Sequence, residues 1–289
     1  MAVTDGATRE IAAGDRFGFG ENWSRFLALV DDERIRAAEE SLTRMLGTER
    51  LTGRTFVDVG SGSGLFSLAA RNLGAHVTSF DYDPHSVACT AELRRRYHPD
   101  DPHWTVTQGS ALDRPFLASL GTFDVVYSWG VLHHTGDMWT AIANVLDLAN
   151  PTSQLFISIY NDQGLKSRVW TRVKRYYVSS GPRGKQLALT GSRLYLFRPR
   201  PTLLALRASL RVYRRLSGTS RPRPSATPVP VPRGMDRERD LVDWVGGYPF
   251  EVATPDQVFS FLHDRGWQLE RLKTCGAGLG CNEFVLSRR

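Results

Sequence analysis

The chain has 289 residues, of which 41% are hydrophobic and 23% are charged, proportions that are ordinary for a soluble globular protein. No apolar run approaches the roughly 18 residues of a membrane span, and the N-terminal residues lack the apolar segment of a signal peptide. Cys89, Cys275 and Cys281 are few and widely spaced, which argues against a disulfide framework or a structural zinc site. We therefore expect a cytoplasmic protein.

Charge is distributed unevenly along the chain. The formal net charge is +7, but residues 163–233 contain 17 Lys and Arg and no Asp or Glu. The rest has 20 basic against 30 acidic residues, a net charge of −10. We expect an acidic body that carries a basic insert, with an anionic partner for the insert. The alternative is that the insert only presents a solvated helical face.

The first half of the chain alternates between helical patterns and β-rich runs. Helices are predicted at 21–47, in two segments, then at 64–74, at 84–97 and from the fourth strand to 148. Strands are predicted at 55–60, 76–83, 104–110, 123–130 and 153–161. Strands and helices that alternate at this pitch predict a parallel, doubly wound α/β sheet.

The second half begins with the basic insert. Helices are predicted at 165–178, 185–197 and 201–216, a Pro-rich loop at 221–234, a helix at 254–266 and strands at 267–274 and 281–288.

The third helix of the insert is amphipathic. One face carries Leu203, Leu206, Leu210 and Tyr213, and another carries Arg207, Arg211, Arg214 and Arg215. Such a helix either docks on the core or lies on an anionic membrane, so residues 203–216 are a candidate membrane contact.

A glycine-rich turn directly follows the first predicted strand. Gly60, Gly62 and Gly64 stand between Asp58 and a helical pattern. Bare backbone at a helix N-terminus is typical of a cradle for an anion or a cofactor. The dinucleotide fingerprint G-x-G-x-x-G does not fit, because Leu65 stands where its third glycine would be, and Ser67 stands there in the other register.

Three motifs occur together: DVGSGSG, the acid Asp81 at the end of the second strand, and VVYSWGVLHHTGD after the fourth. In this order they resemble the class I, Rossmann-like S-adenosylmethionine-dependent methyltransferases. The segment VLHHT is similar to their small-molecule branch, which includes quinone-biosynthesis methyltransferases. The resemblance covers residues 52–161. It implies S-adenosylmethionine as cofactor and a seven-stranded sheet with an antiparallel last strand.

The resemblance also implies which residues hold the cofactor. Asp81 would accept hydrogen bonds from both ribose hydroxyls, Tyr82 would pack on adenine and Asp58 would orient the turn. Many family members have an acid after the third strand, where this chain has Ser110. The full predicted cofactor set is Asp58, Gly60, Gly62, Gly64, Asp81, Tyr82, Ser110, Ala111 and Ser128.

Candidate catalytic residues follow the fourth strand. His133 and His134 lie at the carboxyl edge of the sheet, where ligands bind, and histidine is a suitable general base for a hydroxyl acceptor. We expect one of the pair to face the interior. The predicted acceptor-binding residues are Trp23, Tyr160, Asn161, Trp244 and Tyr248. No carboxylate cluster indicates a metal.

These patterns predict four regions: an N-terminal helical lid (1–50), a cofactor-binding core (51–162), a basic helical cap (163–250) and a C-terminal completion of the sheet (251–289). The predicted function is O-methylation of an anionic or amphipathic small molecule. The basic insert leaves RNA or other nucleic acid methylation as an alternative, although no N-P-P-Y or Pro-Cys motif is present. A protein that binds the cofactor without catalysis is a third reading.

Overall fold

The computed structural model describes residues 2–197, 237–276 and 278–288. They contain one seven-stranded sheet with the order β3-β2-β1-β4-β5-β7-β6. Its strands are β1 (Thr55–Val59), β2 (His76–Asp81), β3 (Trp104–Gln108), β4 (Phe123–Trp129), β5 (Ala149–Tyr160), β6 (Trp267–Lys273) and β7 (Cys281–Arg288). β7 is antiparallel to both neighbours, whereas the pairs from β3 to β5 are parallel. The expected doubly wound sheet with an antiparallel last strand is confirmed.

Helices flank the sheet and cover its carboxyl edge. The described helices are α1 (Ala2–Ala13), α2 (Phe19–Phe26), α3 (Asp32–Leu46), α4 (Leu65–Asn72), α5 (Pro84–Tyr97), α6 (Arg114–Leu120), α7 (Met138–Leu146), α8 (Leu165–Ser179), α9 (Pro182–Phe197), α10 (Arg237–Gly246) and α11 (Pro255–His263). None of these helices combines the length and apolar character that crossing a bilayer would require.

Local signals start several helices where the sequence predicts. Asp31 caps α3 by accepting a hydrogen bond from the Arg34 backbone N–H at 2.9 Å. Asp83 caps α5 in the same way, with Pro84 as its first residue. Thr254 opens α11 in a capping box. Side-chain oxygens at these positions satisfy N–H groups that have no partner within the helix.

The core has two layers, one on each face of the sheet. Val57 and Val59 of β1 point to the layer beneath α6, α7 and α11, whereas Phe56 points to the layer beneath α3, α4 and α5. A third, smaller cluster joins α8 to α10 through residues such as Trp170 and Val245. That cluster packs α8 and α10 against Tyr160 at the carboxyl end of β5.

Three helices were not predicted, α1, α6 and α10, and a fourth begins later than expected. Residues 2–13 form α1, residues 114–120 form α6, and the segment before Gly247 forms α10. After β4 the chain makes a 3₁₀ turn at Leu132–His134 before α7 starts at Met138. Tertiary contacts override weak local propensity at such places. The amphipathic helix predicted at 201–216, with its candidate membrane contact at 203–216, and the Pro-rich loop at 221–234 lie outside the described residues.

Candidate active site

A large cavity lies along the carboxyl edge of the sheet. Its volume is about 1190 Å³. Its walls come from the glycine turn, the ends of β2, β4 and β5, the start of β7, and residues 10–23 and 243–244. Parallel α/β sheets bind ligands at this edge, because the loops diverge there. The position of the cavity therefore agrees with the predicted site.

The glycine turn joins β1 to α4, and each of its three glycines has a positive φ, between 55° and 81°. Gly60 and Gly62 line the cavity. A Cβ on Gly60 would lie 2.4 Å from Val131 Cγ1, and one on Gly62 would lie 3.0 Å from Trp23 Nε1. Gly64 is not part of the cavity wall. Side chains are therefore excluded by backbone conformation and by packing against neighbouring protein groups.

Asp81 at the end of β2 closes the turn from the opposite side. Its Oδ2 accepts a hydrogen bond from the Gly62 N–H at 2.9 Å, and its Oδ1 accepts one from the Asp83 N–H at 2.9 Å. Burial raises the pKa of Asp81 to about 6, although these hydrogen bonds oppose the shift. A carboxylate offers about four lone-pair sites, so acceptor capacity remains for ligand hydroxyls.

Asp58 ends a chain of buried hydrogen bonds. Trp104 Nε1 donates to Ser79 Oγ, Ser79 Oγ donates to Ser67 Oγ, and Ser67 Oγ donates to Asp58 Oδ2 at 2.5 Å. Burial, and to a smaller extent the nearby Asp81 carboxylate, raises the pKa of Asp58 to about 7. This series of hydrogen bonds anchors Asp58 between β1 and α4, and its role in orienting the turn stays a prediction.

Tyr82, Ser110 and Ala111 all line the cavity, at the end proposed for adenine. The Tyr82 hydroxyl donates to Glu10 Oε1 at 3.1 Å, and the Arg16 guanidinium lies 5.0 Å from the centre of its ring. These contacts tie the ring to the N-terminal segment, which the sequence did not indicate.

Ser128 is placed differently from the rest of the predicted cofactor set. It is fully buried, and its hydroxyl donates to the Val59 carbonyl at 2.9 Å. It is absent from the cavity wall. This position does not support the predicted role of its side chain in cofactor binding, because the side chain ties β4 to β1.

The two histidines after β4 occupy different environments. His134 lines the cavity, and its Nδ1 lies 2.6 Å from the Pro249 carbonyl oxygen. A carbonyl oxygen only accepts hydrogen bonds, so Nδ1 carries the proton and Nε2 keeps its lone pair. Burial, followed by the charge of Lys174, lowers the pKa of His134 to about 3. His134 is therefore neutral at physiological pH.

His133 lies behind His134 and is absent from the cavity wall. It is fully buried, and its Nδ1 accepts a hydrogen bond from the Tyr160 N–H at 3.3 Å. Burial and the neighbouring His134 and Lys174 hold the pKa of His133 well below its usual value. The expectation that one histidine faces the interior is met by His133.

The predicted acceptor-binding residues divide into two groups. Trp23, Tyr160 and Trp244 line the cavity. Asn161 does not line it: its side chain donates to the Gly276 carbonyl and accepts from Asn282. Tyr248 is also absent from the wall, and its carbonyl accepts a hydrogen bond from the Phe17 N–H. The predictions for Asn161 and Tyr248 are not supported by their positions, because both hold loops together.

Sequence reasoning missed two basic residues beside the site. Arg16 donates to the carbonyls of His134 and Thr135 at 2.6 and 3.1 Å, and so fixes the histidine turn. Lys174 on α8 is fully buried, and its ammonium donates to the Trp244 carbonyl and lies 4.3 Å from the centre of that ring. Burial lowers the pKa of Lys174 to about 7. The groups that Arg16 and Lys174 contact lie far from them in the sequence. Only the aromatic-rich segment around residue 244 could have indicated these contacts.

The sequence of this chain is similar to those of known methyltransferases. A family model described as a methyltransferase domain matches residues 30–190, more than half of the chain. The chain belongs to this methyltransferase family, whose enzymes use S-adenosylmethionine.

Among curated proteins, the chain is similar to a ribosomal protein L11 methyltransferase of Bacillus cytotoxicus, with 31% identity over 117 residues, 36% of this chain and 37% of that protein. It is also similar to a ubiquinone biosynthesis O-methyltransferase of Aromatoleum aromaticum, with 30% identity over 112 residues, 38% of this chain and 46% of that protein. The chain thus spans less than half the length of these relatives.

Among solved structures, magnesium protoporphyrin IX methyltransferase from Synechocystis has a TM-score of 0.49 and 15% identity, covering 89% of this chain and 84% of that one.

The residues present fit S-adenosylmethionine. Asp81 would supply an acceptor for ribose hydroxyls, and Gly60 and Gly62 present bare backbone to the cavity. The described wall contains seven Asp and Glu but only three Lys and Arg. An acidic wall complements a ligand that carries a sulfonium and an ammonium group.

Proposed function

We propose that this protein methylates a hydroxyl group of a small-molecule acceptor. The observation that carries the proposal is the His134 imidazole, which lines the cavity while its Nδ1–H is held by the Pro249 carbonyl at 2.6 Å. The S-adenosylmethionine cofactor, when bound, supplies the methyl group on a sulfonium. The role of His134 Nε2 is to accept the hydroxyl proton as the oxygen becomes methylated.

A low histidine pKa is compatible with this role. Since His134 has a pKa of about 3, it stays in the proton-accepting form throughout the neutral range. A hydroxyl proton becomes strongly acidic once its oxygen forms a bond to the methyl group, so a weak base in a fixed orientation suffices. Arg16 and Pro249 provide that orientation through hydrogen bonds to the histidine turn and to its ring.

The cavity favours an amphipathic small molecule. Ligand sites usually have volumes of roughly 300–1,000 Å³, so about 1190 Å³ leaves room for both cofactor and acceptor. The part of the cavity around His134 and Tyr160, which we call the acceptor side, is lined mainly by aromatic residues that include Phe17, Phe19 and Trp244. The basic insert supports an anionic acceptor, but the excess of acidic groups in the described wall weighs against one. We therefore propose an acceptor without net negative charge.

We further propose that residues 1–50 act as a lid and residues 163–250 as a cap over a core of residues 51–162, completed by 251–289. Phe17, Phe19 and Trp23 from the first region and Trp244 from the cap line the cavity together, which supports this division. Closure of a lid excludes water from the reacting groups.

A membrane contact is proposed for the face formed by α8 and α9, which we call the α8–α9 groove. It has a volume of about 620 Å³, and its wall includes Lys166 and Arg172. Five large apolar side chains that line it are about half-exposed or more: Leu165, Val169, Tyr176, Leu187 and Tyr195. Apolar residues among cations fit an anionic lipid surface. We propose a cytoplasmic protein that binds such a surface peripherally.

Labelled S-adenosylmethionine tests the proposed reaction. The protein is incubated with labelled cofactor and cell extract, and the label is followed into small-molecule, RNA and protein fractions. We expect label in the small-molecule fraction. Label in RNA would favour nucleic acid methylation, which the basic insert supports. Label in no fraction, despite measurable cofactor binding, would favour a protein that binds the cofactor without catalysis.

A further inference from the structure

Glu283 on β7 has a buried carboxylate oxygen without a donor. The residue is 4% exposed and lines the cavity. Its Oε1 accepts a hydrogen bond from Lys273 Nζ at 2.7 Å, whereas Oε2 has no hydrogen-bond partner among the described residues. A buried polar atom normally has a partner, because desolvation without one is unfavourable. An orphaned acceptor in the wall of a ligand cavity therefore indicates a donor on the ligand.

The register of the sheet places Glu283 on the acceptor side of the cavity. Glu283 pairs with Ser158 of β5 and with Lys273 of β6, and these side chains share one face of the sheet. In the sheet order, β7 is three strands away from β1, which precedes the glycine turn. At about 4.8 Å per strand this separation is roughly 14 Å. Glu283 is thus remote from Gly60 and Gly62, which are proposed to hold the cofactor.

The ion pair with Lys273 does not neutralise Glu283 completely. The Lys273 side chain is 63% exposed, so solvent screens its charge. Among the described residues, the cavity wall also contains more acidic than basic side chains. A second anion near Glu283 would be repelled, whereas a hydroxyl would donate to Oε2 and a protonated amine would in addition be attracted by charge.

We propose that Glu283, backed by Lys273, is a recognition site for a hydrogen-bond-donating group of the methyl acceptor, with a protonated amine bound more tightly than a hydroxyl. This inference rests on the proposed function and specifies its substrate class: the acceptor carries, apart from the methylated oxygen, an amine or hydroxyl that reaches β7. Glu283 acts in binding and takes no part in the transfer of the methyl group.

Three matched aromatic probes test the proposal: phenethylamine, phenethyl alcohol and phenylacetate. Each is titrated into protein saturated with S-adenosylhomocysteine, and binding is followed by ligand-observed NMR. We expect the amine to bind at least about tenfold more tightly than phenylacetate, with the alcohol between them. Glu283→Gln should bring the amine and the acid to within about threefold of each other.

Two further variants separate recognition from a structural role. Lys273→Met removes the partial counter-charge, so the preference for the amine should persist or increase. Glu270→Gln, on the neighbouring strand and outside the cavity, is the matched control and should leave the order of affinities unchanged. Thermal unfolding of each variant verifies folding, and Glu283→Gln should be at least as stable as Lys273→Met.

The proposal is overturned if Glu283→Gln keeps the wild-type preference for the amine. It is also overturned if the wild-type protein shows no preference for the amine or binds none of the three probes. Weaker binding of S-adenosylhomocysteine to Glu283→Gln, measured by calorimetry, also overturns it, because the carboxylate would then belong to the cofactor site. Failure of the wild-type protein to bind S-adenosylhomocysteine would instead contradict the proposed function itself.

Discussion

A Cβ built on Gly64 would lie 2.8 Å from the Cα of Thr90 on α5. The nearest atom belongs to the backbone of Thr90 and cannot turn aside as a flexible side chain would. Gly64 itself precedes the first residue of α4 and has a left-handed backbone, with φ 81° and ψ 4°. The third glycine of the turn therefore sets the distance between two helices, and its effect on any ligand is indirect.

Gly64→Ala should lower the free energy of unfolding by about 3 kcal/mol, because a left-handed backbone and a steric overlap act together. Gly47→Ala is the matched control. Gly47 is also left-handed, with φ 70° and ψ 29°, but its Cβ would meet only the flexible tip of Arg271. That variant should lose about 1–2 kcal/mol. Denaturant titration measures both, and equal losses would contradict the overlap.

Asp81→Ala should weaken S-adenosylmethionine binding at least about tenfold, because hydrogen bonds to a charged group contribute roughly 1.5–3 kcal/mol each. The loss of the Gly62 N–H partner should loosen the turn and add to the effect. Calorimetry measures the affinity, and Glu92→Ala, on the surface of α5, is the control. NAD should not bind measurably. A folded Asp81→Ala protein with unchanged affinity would remove Asp81 from the cofactor site.

His134→Gln should lower turnover about 10²–10⁴-fold with little change in cofactor affinity. His133→Gln should keep most of its turnover and instead reduce the free energy of unfolding, because His133 is buried away from the cavity. The rate of label transfer into the small-molecule fraction measures turnover. Near-normal rates for His134→Gln would indicate an amine acceptor or a base elsewhere.

The buried carboxylates predict how stability depends on pH. Burial raises the pKa of Asp58 to about 7 and that of Asp81 to about 6, above the value near 4 in an unfolded chain. Between about pH 4 and 7 these two carboxyls bind more protons in the folded state than in the unfolded state, so their contribution to the free energy of unfolding of the cofactor-free protein falls as pH rises. The lowered pKa values of His133 and His134 act in the opposite direction, because the unfolded histidines bind protons in this range that the folded ones do not.

Asp81→Asn removes one of the two raised carboxyls, so between about pH 4 and 6 the stability of this variant should fall less, or rise more, with increasing pH than that of the wild type. Denaturant titrations at a series of pH values check the result. Glu270→Gln, on the exposed edge of the sheet, serves as the control and should keep the wild-type slope. The same pH dependence of stability in Asp81→Asn and in the wild type would contradict the shift at Asp81.

The α8–α9 groove should bind vesicles that contain anionic lipid. Replacing Leu165, Val169 and Leu187 with Ser should reduce the floating fraction at least about tenfold, because apolar insertion is lost. Phe259→Ser, an exposed apolar residue on α11, is the control and should float like the wild type. Flotation with phosphatidylcholine alone should be weak. Equal flotation of the triple variant and the wild type would show that this face makes no membrane contact.

The sequence by itself determined the class of the fold. Strand periodicity, helix caps such as Asp31 and Asp83, and the spacing of the glycine turn to Asp81 are local patterns. Each depends on a few neighbouring residues, so each can be read without knowing the rest of the chain. The same patterns placed Gly60, Gly62 and Asp81 together at one edge of the sheet.

Only the tertiary structure decided which side chains reach the cavity. His133 and His134 are adjacent in sequence, and the Pro249 carbonyl, 115 residues from His134, determines which proton-bearing form His134 adopts. Ser128 lies inward and Glu283 lies in the wall because of strand register, which pairs residues far apart along the chain. Burial lowers the pKa of Lys174 to about 7. This burial arises only when the helices have assembled, so no local sequence pattern contains it.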